Sequence, residues 1–249
     1  PFSEFKNRVP RFMSEYGFQS FPLLDSVKKY TVAEDLHINS DVMKSHQKHP
    51  RGNTLIKQYM ADEYREPKDF ESFLYLSQVQ QALGMKIAFE AHRSAMPFCM
   101  GTLYWQFNDC WPVASWSGID YYGQWKALHY QAQRCFKPLS VFIDAFDEAN
   151  LTNLKVNLIS DHREAINLRL SERLMTLDGE VLFSKEQQIT AEPNAVSSAA
   201  VRDVSTLIEK HDLNQLVFVV QIFDCENDQV SDNEVKNPIS EALHYFVPT

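Results

Sequence analysis

The chain has no CxxC pair, and its four cysteines, Cys99, Cys110, Cys135 and Cys225, fall at irregular spacings. A zinc site built on thiolates is therefore not expected, and these thiols read as core or incidental groups. No HExxH or comparable spacing occurs either, so His46, His49 and His129 read as surface or supporting side chains and no metal site is expected. Glycine is sparse, with 7 in 249 residues, and neither a glycine-rich phosphate cradle nor a GxSxG elbow is present. The net charge is −9, with no concentrated basic stretch to offset it, which argues against nucleic acid or an anionic membrane as a partner. No run of 18 apolar residues occurs, so no membrane-spanning helix is expected. The sequence opens on Pro1, without an initiator methionine or a signal-like segment, and is expected to begin within a longer polypeptide.

What is present is apolar and aromatic. Hydrophobic residues make up 44%, enough for a sizeable core in one large domain or two ordinary ones. The 17 Phe, 10 Tyr and 4 Trp crowd toward the amino-terminal side, and no Trp follows Trp125. One sequon, Asn150-Leu151-Thr152, would matter only in a secretory setting.

Periodicity divides the chain. The run "VPRFMS" within 8–14 suits a short strand, with Glu15 at its end. Residues 22–68 are irregular, interrupted by His46, His49, Pro50, Gly52 and Pro67, with a short helix near 53–62; a polar connection this long often marks a functional loop. Asp69 can cap a helix over 69–92, on which Phe73, Leu76, Val79, Leu83, Ile87 and Ala91 form an apolar stripe. The segment "FCMGTLYWQF" (98–107) reads as a buried strand and "NDCWPVASWSGIDYYG" as a turn-rich aromatic loop. A helix over 123–135 follows, with Trp125, Leu128, Ala132 and Cys135 on one side. Strand, loop, helix, strand, loop, helix is the order of two consecutive βα units.

Beyond Pro138 the period becomes two. "LSVFIDAFD", "LKVNLIS", "INLRLSERLM", "EVLFSKEQQI", "SAAVRDVS", "LVFVVQIFD" and "ALHYFV" make about seven short strands, the pattern of an immunoglobulin-like β-sandwich. The expected domains are 1–138 and 139–249, with the break between Phe136 and Ser140 and no long helix inside 150–245. The second domain is expected to fold unaided and the first not. Phe142, Phe146, Phe218 and Phe223 fit inward-facing or core-adjacent positions, which argues against a carbohydrate-binding module displaying a row of exposed aromatics.

In a βα-repeat fold, reactive side chains sit where strands end, held by the sheet and facing the loops. Glu15 ends the first strand and Trp105 lies near the end of the second. A carboxylate facing an indole is an arrangement suited to a sugar, with Asn108, Asp109 and Trp111 on the adjoining loop as candidate hydrogen-bonding or stacking groups. Taken singly, a strand-end glutamate is most often a solvated surface group, and a tryptophan in an apolar strand is most often core packing.

Two long segments decide between these readings. "RFMSEYGFQSFP" resembles the nucleophile segment of the β-mannosidases of glycoside hydrolase family 2. "GTLYWQFNDCWPVASWSGIDYYGQWKALHYQAQRCFKP" resembles the eighth barrel strand, following loop and last helix of the same enzymes, and "HQKHPRGN" lies between the two as it does there. The resemblance covers 1–138 strongly and continues more weakly through the sandwich. It implies the last two βα units of a (β/α)8 barrel followed by an immunoglobulin-like sandwich, an α/β part and an all-β part.

The resemblance also implies Glu15 as the catalytic nucleophile and Trp105 as a wall of the sugar subsite. The acid/base of the family belongs to an Asn-Glu pair at the end of barrel strand four, which no segment here matches. Glu4 lies upstream of the strand and is a poor substitute, and nothing marks Asp109 or Asp120 as the acid. The chain alone is therefore expected to be inactive, and its partner is expected to be the missing amino-terminal part of the same polypeptide. The implied activity is a retaining exo-β-mannosidase acting on β-mannoside oligosaccharides or glycoconjugate glycans, with no cofactor. The rivals are another family 2 activity, β-galactosidase or β-glucuronidase, and a carbohydrate-binding or structural module.

Overall fold

The computed structural model describes residues 2–147, 150–225 and 237–246, the side chains of Phe146, Asp147, Asn150 and Leu151 excepted. The sequon residues Asn150 and Leu151, the expected inward position of Phe146 and the Val247 end of the last expected strand thus lie outside the described residues or side chains. The chain forms two compact units, one holding residues up to 135 apart from 94–97, the other 94–97 with the residues from 136 onward.

The first unit contains β1 (Met13–Tyr16), α1 (Gly52–Glu63), α2 (Phe70–Ser94), β2 (Thr102–Tyr104) and α3 (Ala127–Cys135). β1 and β2 are parallel, with Met13 opposite Thr102 and Tyr16 opposite Tyr104 across an irregularity. Such a pair needs a crossover, and the segment containing α2 supplies it. Both strands differ from expectation. β1 lies further along the chain than 8–14, because Pro10 has no N–H to give a ladder, so Glu15 is inside the strand and not at its end.

β2 is three residues long, not ten, and it is not buried: Leu103 is 56% and Phe107 60% exposed. Its shortness has a visible cause. The Trp105 N–H still donates to the Tyr16 carbonyl (2.7 Å), but the Gln106 N–H turns to the Trp116 carbonyl (3.1 Å) and the chain leaves the strand for the aromatic loop.

Asp69 caps α2 through a hydrogen bond from the Ser72 N–H to its Oδ1 (2.7 Å), and the Ser72 side chain first, with this N–H second, holds its carboxyl below the usual range. The buried face of the helix is not the expected apolar stripe. It runs through Phe73, Leu74, Ser77, Gln78, Gln81, Met85, Ala88, Phe89 and His92, one position off, while Leu76, Val79, Leu83, Ile87 and Ala91 are only partly buried.

The polar residues on that face have work that an apolar stripe could not do. The Ser77 hydroxyl accepts from the Phe21 N–H (3.1 Å), and the Gln78 amide donates to the Phe21 carbonyl (3.1 Å) and accepts from the Ala127 N–H (3.1 Å). The Gln81 amide accepts from the Ser20 hydroxyl (2.7 Å) and donates to the Phe18 carbonyl (2.8 Å). These side chains satisfy backbone groups that a longer β1 would have paired within the sheet. On α3, Leu128, Ala132 and Cys135 are buried as expected, but Trp125 precedes the helix, is 38% exposed and stands edge-on to His129.

The second unit holds β3 (Leu139–Asp147), β4 (Asn150–Ser160), β5 (Ile166–Thr176), β6 (Val181–Ala191), β7 (Ala195–Asp203), β8 (Leu216–Asp224) and β9 (Ser240–Tyr245). They form two antiparallel sheets, ordered β3-β4-β7 and β6-β5-β8-β9, the crossing pattern of an immunoglobulin-like sandwich. Among the described residues after Leu139 the helical turns are Ser205–Ile208 and Leu213–Gln215.

Alternate residues of the strands, including Val141, Leu154, Val156, Leu168, Leu170, Leu174, Phe218 and Val220, fill the space between the sheets. Phe142 is buried outside that cluster, and Phe223 points to the outer face, where the Arg169 guanidinium lies over its ring at 4.4 Å; the two-residue period puts it opposite Phe218 in parity. Glu172, in step with the core leucines of β5, is fully buried and accepts from Arg202 Nη2 of β7 at 2.6 Å.

Candidate active site

Tyr16 is buried against α2, with its ring 5.1 Å from His92 and 6.2 Å from Phe89, and its hydroxyl hydrogen-bonds the Thr102 hydroxyl (2.7 Å), which also meets His92 Nδ1 (2.8 Å). Burial pushes the Tyr16 phenol up and the His92 imidazole down. Glu15, just before Tyr16, is exposed, and the irregularity between Met13 and Tyr16 interrupts the alternation of this short strand. On β2, Thr102 and Tyr104 take the α2 side, with the Tyr104 ring 5.5 Å from Phe89, while Leu103 and, just past the strand, Trp105 are exposed. The Trp105 indole is 46% exposed. Glu15 in β1 and Trp105 just past β2 are thus both exposed on adjoining segments, joined next to Glu15 by the Trp105 N–H to Tyr16 carbonyl hydrogen bond, and the Trp105–Gln106 peptide is cis.

Gly17 sets how closely these segments approach. A β-carbon there would lie 2.2 Å from the Trp105 carbonyl oxygen and 3.0 Å from Trp116 Cδ1, so only glycine lets the chain pass beneath both tryptophans.

The loop residues divide. Asn108 is exposed, with its amide directed at the Asp109 carbonyl (3.3 Å). Trp111 is 37% exposed, and its ring lies 5.8 Å from His46, which in turn stacks on Tyr30 at 4.2 Å. Asp109, singled out as a substrate-binding candidate, is buried. Its carboxylate accepts from Lys48 Nζ (2.9 Å), the Ser115 hydroxyl (2.6 Å), the Ser117 hydroxyl (2.5 Å) and the Gln106 amide (3.2 Å). With four donors on two oxygens it is an anchor for the loop and has no lone pair turned to solvent. Asp120 is likewise engaged, by the Ser26 hydroxyl (2.5 Å) and the Tyr122 and Gln124 N–H groups (both 2.9 Å).

Sequence reasoning did not assign roles to the residues that hold this site together. The "HQKHPRGN" segment lies along the aromatic loop: the Ala114 N–H donates to the His46 carbonyl (2.8 Å), the Lys48 N–H donates to the Ala114 carbonyl (3.2 Å), and His46 Nδ1 donates to the Pro112 carbonyl (2.6 Å). Ser20 and Ser115 exchange backbone hydrogen bonds (2.9 and 3.1 Å), and beneath them the buried Lys126 ammonium donates to both carbonyls (3.2 and 3.3 Å). Burial pulls the Lys126 pKa down to about 7, with Asp109 and Asp120 opposing that fall and Lys48 adding to it. The alternation of Ser, Asp and Lys with aromatics in the loop was the available signal, but spacing alone does not say which side chain meets which. Among the described residues no group of three or more His, Cys, Asp or Glu could hold a metal ion, and no helix is long and apolar enough to cross a membrane.

Comparison with known proteins meets this geometry from outside. Residues 152–249 match the family described as "Mannosidase Ig/CBM-like domain". The chain is 34% identical over 174 residues to a β-mannosidase of Capra hircus, covering 64% of this chain and 20% of that protein. It is 32% identical over 194 residues to β-mannosidase A of Aspergillus terreus, covering 69% and 21%. The crystal structure of a β-D-mannosidase from Dictyoglomus thermophilum superposes over 99% of this chain and 28% of its own, with a TM-score of 0.86 and 29% identity. The chain thus spans about a fifth of the length of these curated relatives. Residues 1–249 carry a mannosidase-like immunoglobulin domain of glycoside hydrolase family 2, preceded by the closing part of that family's barrel.

Proposed function

We propose that the chain is the nucleophile-bearing part of a retaining exo-β-mannosidase, with a barrel portion at 1–138 and a sandwich at 139–249. The observation that carries this reading is the exposure of both Glu15 and Trp105 on adjoining segments of the parallel pair, where the Trp105 N–H is bonded to the carbonyl of Tyr16 beside Glu15. In it, Glu15 attacks the anomeric carbon of a terminal β-linked mannose while a second carboxyl group protonates the leaving oxygen. A covalent mannosyl-enzyme forms, and water activated by the same second group releases mannose with its configuration retained. The Trp105 indole supports the apolar face of the ring, and Asn108 and Trp111 meet the sugar or its aglycone.

Asp109 serves this site indirectly, by fixing the loop. Neither it nor Asp120 is the second carboxyl group, because both are buried and held by protein donors, four on Asp109 and three on Asp120. That group lies outside these 249 residues in this reading, so the chain alone hydrolyses nothing. The similarity to proteins named β-mannosidase supports mannose over the other sugars of the family.

The test is trapping in the full-length polypeptide. A 2-deoxy-2-fluoro mannosyl fluoride should label the wild type, and peptide mapping should find the adduct on Glu15. Glu15→Gln should fold normally and lose several orders of magnitude in turnover, as removal of a covalent nucleophile does. An adduct on another residue defeats the assignment, and preference for a β-galactoside or β-glucuronide across a nitrophenyl glycoside panel replaces the sugar.

A further inference from the structure

We infer that His49 is a further substrate-binding residue, donating a hydrogen bond from Nε2–H to a hydroxyl of the sugar held over Glu15; this rests on the glycosidase reading above. Two independent links bring it to the neighbourhood of Glu15. The first runs through Trp116, whose Cδ1 lies 3.0 Å from where a β-carbon of Gly17, two residues after Glu15, would stand and whose ring meets the His49 ring edge-on at 6.2 Å and 85°. The second is the hydrogen bond from Gln19 Nε2 to Gln47 Oε1 (2.8 Å), which ties the continuation of β1 to the turn that carries His49.

The ring's hydrogen-bonding polarity follows from its own turn. The Arg51 N–H donates to His49 Nδ1 (3.2 Å), so that nitrogen presents a lone pair and the ring hydrogen resides on Nε2. Nε2 has no hydrogen-bond partner among the described residues, and the ring is half-buried, so the donor is left for a ligand. The turn itself is rigid. The His49 N–H donates to Gln47 Oε1 (3.1 Å), its carbonyl accepts from the Gly52 N–H (2.8 Å), and Lys48 beside it is pinned to Asp109 (2.9 Å). A β-carbon at Gly52 would lie 2.3 Å from Gln19 Oε1 and 2.4 Å from Gln47 Cδ, so the paired amides of Gln19 and Gln47 lie directly against the turn. A fixed neutral imidazole with one free donor is a selective partner for a hydroxyl oxygen, because it costs little to orient at the moment of binding.

The test separates this donor from the turn-forming role of the same ring. In the full-length polypeptide, His49→Asn keeps an acceptor for the Arg51 N–H and removes the Nε2 donor, whereas His49→Gln can place an N–H near the Nε2 position. His49→Phe keeps a ring against Trp116 and donates nothing, and it decides the matter should His49→Asn not fold. With thermal unfolding unchanged, His49→Asn and His49→Phe should lose roughly five- to a hundredfold in kcat/KM on 4-nitrophenyl β-mannoside, the range for an unpaired polar contact. His49→Gln should recover most of that loss. Across a set of monodeoxy mannosides, the one lacking the partner hydroxyl should respond to His49→Asn far less than the others. Wild-type kcat/KM in His49→Asn, or equal sensitivity of every deoxy substrate, overturns the inference. A wild type that hydrolyses no β-glycoside overturns the glycosidase reading and this inference with it.

Discussion

Gly17 illustrates how much the site owes to single residues. Adding one methyl group there drives a carbon to 2.2 Å from the Trp105 carbonyl oxygen, so either the strand carrying Glu15 or the tryptophan must move. Gly17→Ala should therefore cost about a hundredfold in kcat/KM, the scale associated with an ångström of misplacement, whatever it does to stability. Steady-state kinetics beside thermal unfolding checks this, and an active Gly17→Ala enzyme would show that the approach has slack. At this scale the sequence was legible in part: it placed Glu15 on the first strand and Trp105 beside the second, and both are exposed. Asp109 was not legible in the same way. An acid next to Asn108 on a loop rich in tryptophan looks ready for a ligand, and only folding shows that Lys48, 61 positions away, and two nearby serines occupy it.

Among the elements, α2 taught the most. Its length and its cap at Asp69 follow from pattern, yet the face it buries is set by hydrogen-bonding demand and not by hydrophobicity. Gln81 illustrates the difference: its amide accepts from Ser20 and donates to the Phe18 and Ser117 carbonyls (3.4 Å to the latter). Gln81→Leu should destabilise the protein by about 1–3 kcal/mol, since it leaves buried polar groups unpaired. By urea unfolding it should cost more than Val79→Ala on the expected stripe; the reverse order would restore hydrophobicity as the organising term. Strands of the second unit were legible because each has one buried face and hence a clear two-residue period, β8 to the residue. The strands of the first unit were not, because a pair of three- and four-residue strands carries too few alternations to mark where pairing stops.

For the molecule as a whole, Lys126 makes stability depend on pH. Unfolded, its amine has the ordinary lysine pKa of about 10.4; folded, burial lowers it to about 7. Below 7 both states carry the proton, and the fold bears the full cost of a buried cation. Between 7 and 10.4 the unfolded chain binds a proton that the fold does not, so this contribution rises with pH by up to about 1.4 kcal/mol per unit, then levels off. Urea unfolding from pH 6 to 10 should show the wild type gaining on Lys126→Met as pH rises. Parallel profiles would mean that Asp109 and Asp120 keep the ammonium charged in place.

The buried pair in the sandwich has a consequence of another kind. Glu172 Oε1 and Arg202 Nε find no partner, so the pair is a poor bargain for stability alone. Yet sliding β5 by one residue against its neighbours would turn Glu172 outward with every core leucine of that strand and strand a guanidinium between the sheets. Apolar contacts tolerate approximate substitutes, and an unmatched interior charge does not. Glu172 and Arg202 act as a registration mark: the two sheets can close in one alignment, and the wrong ones are refused before packing has to distinguish them.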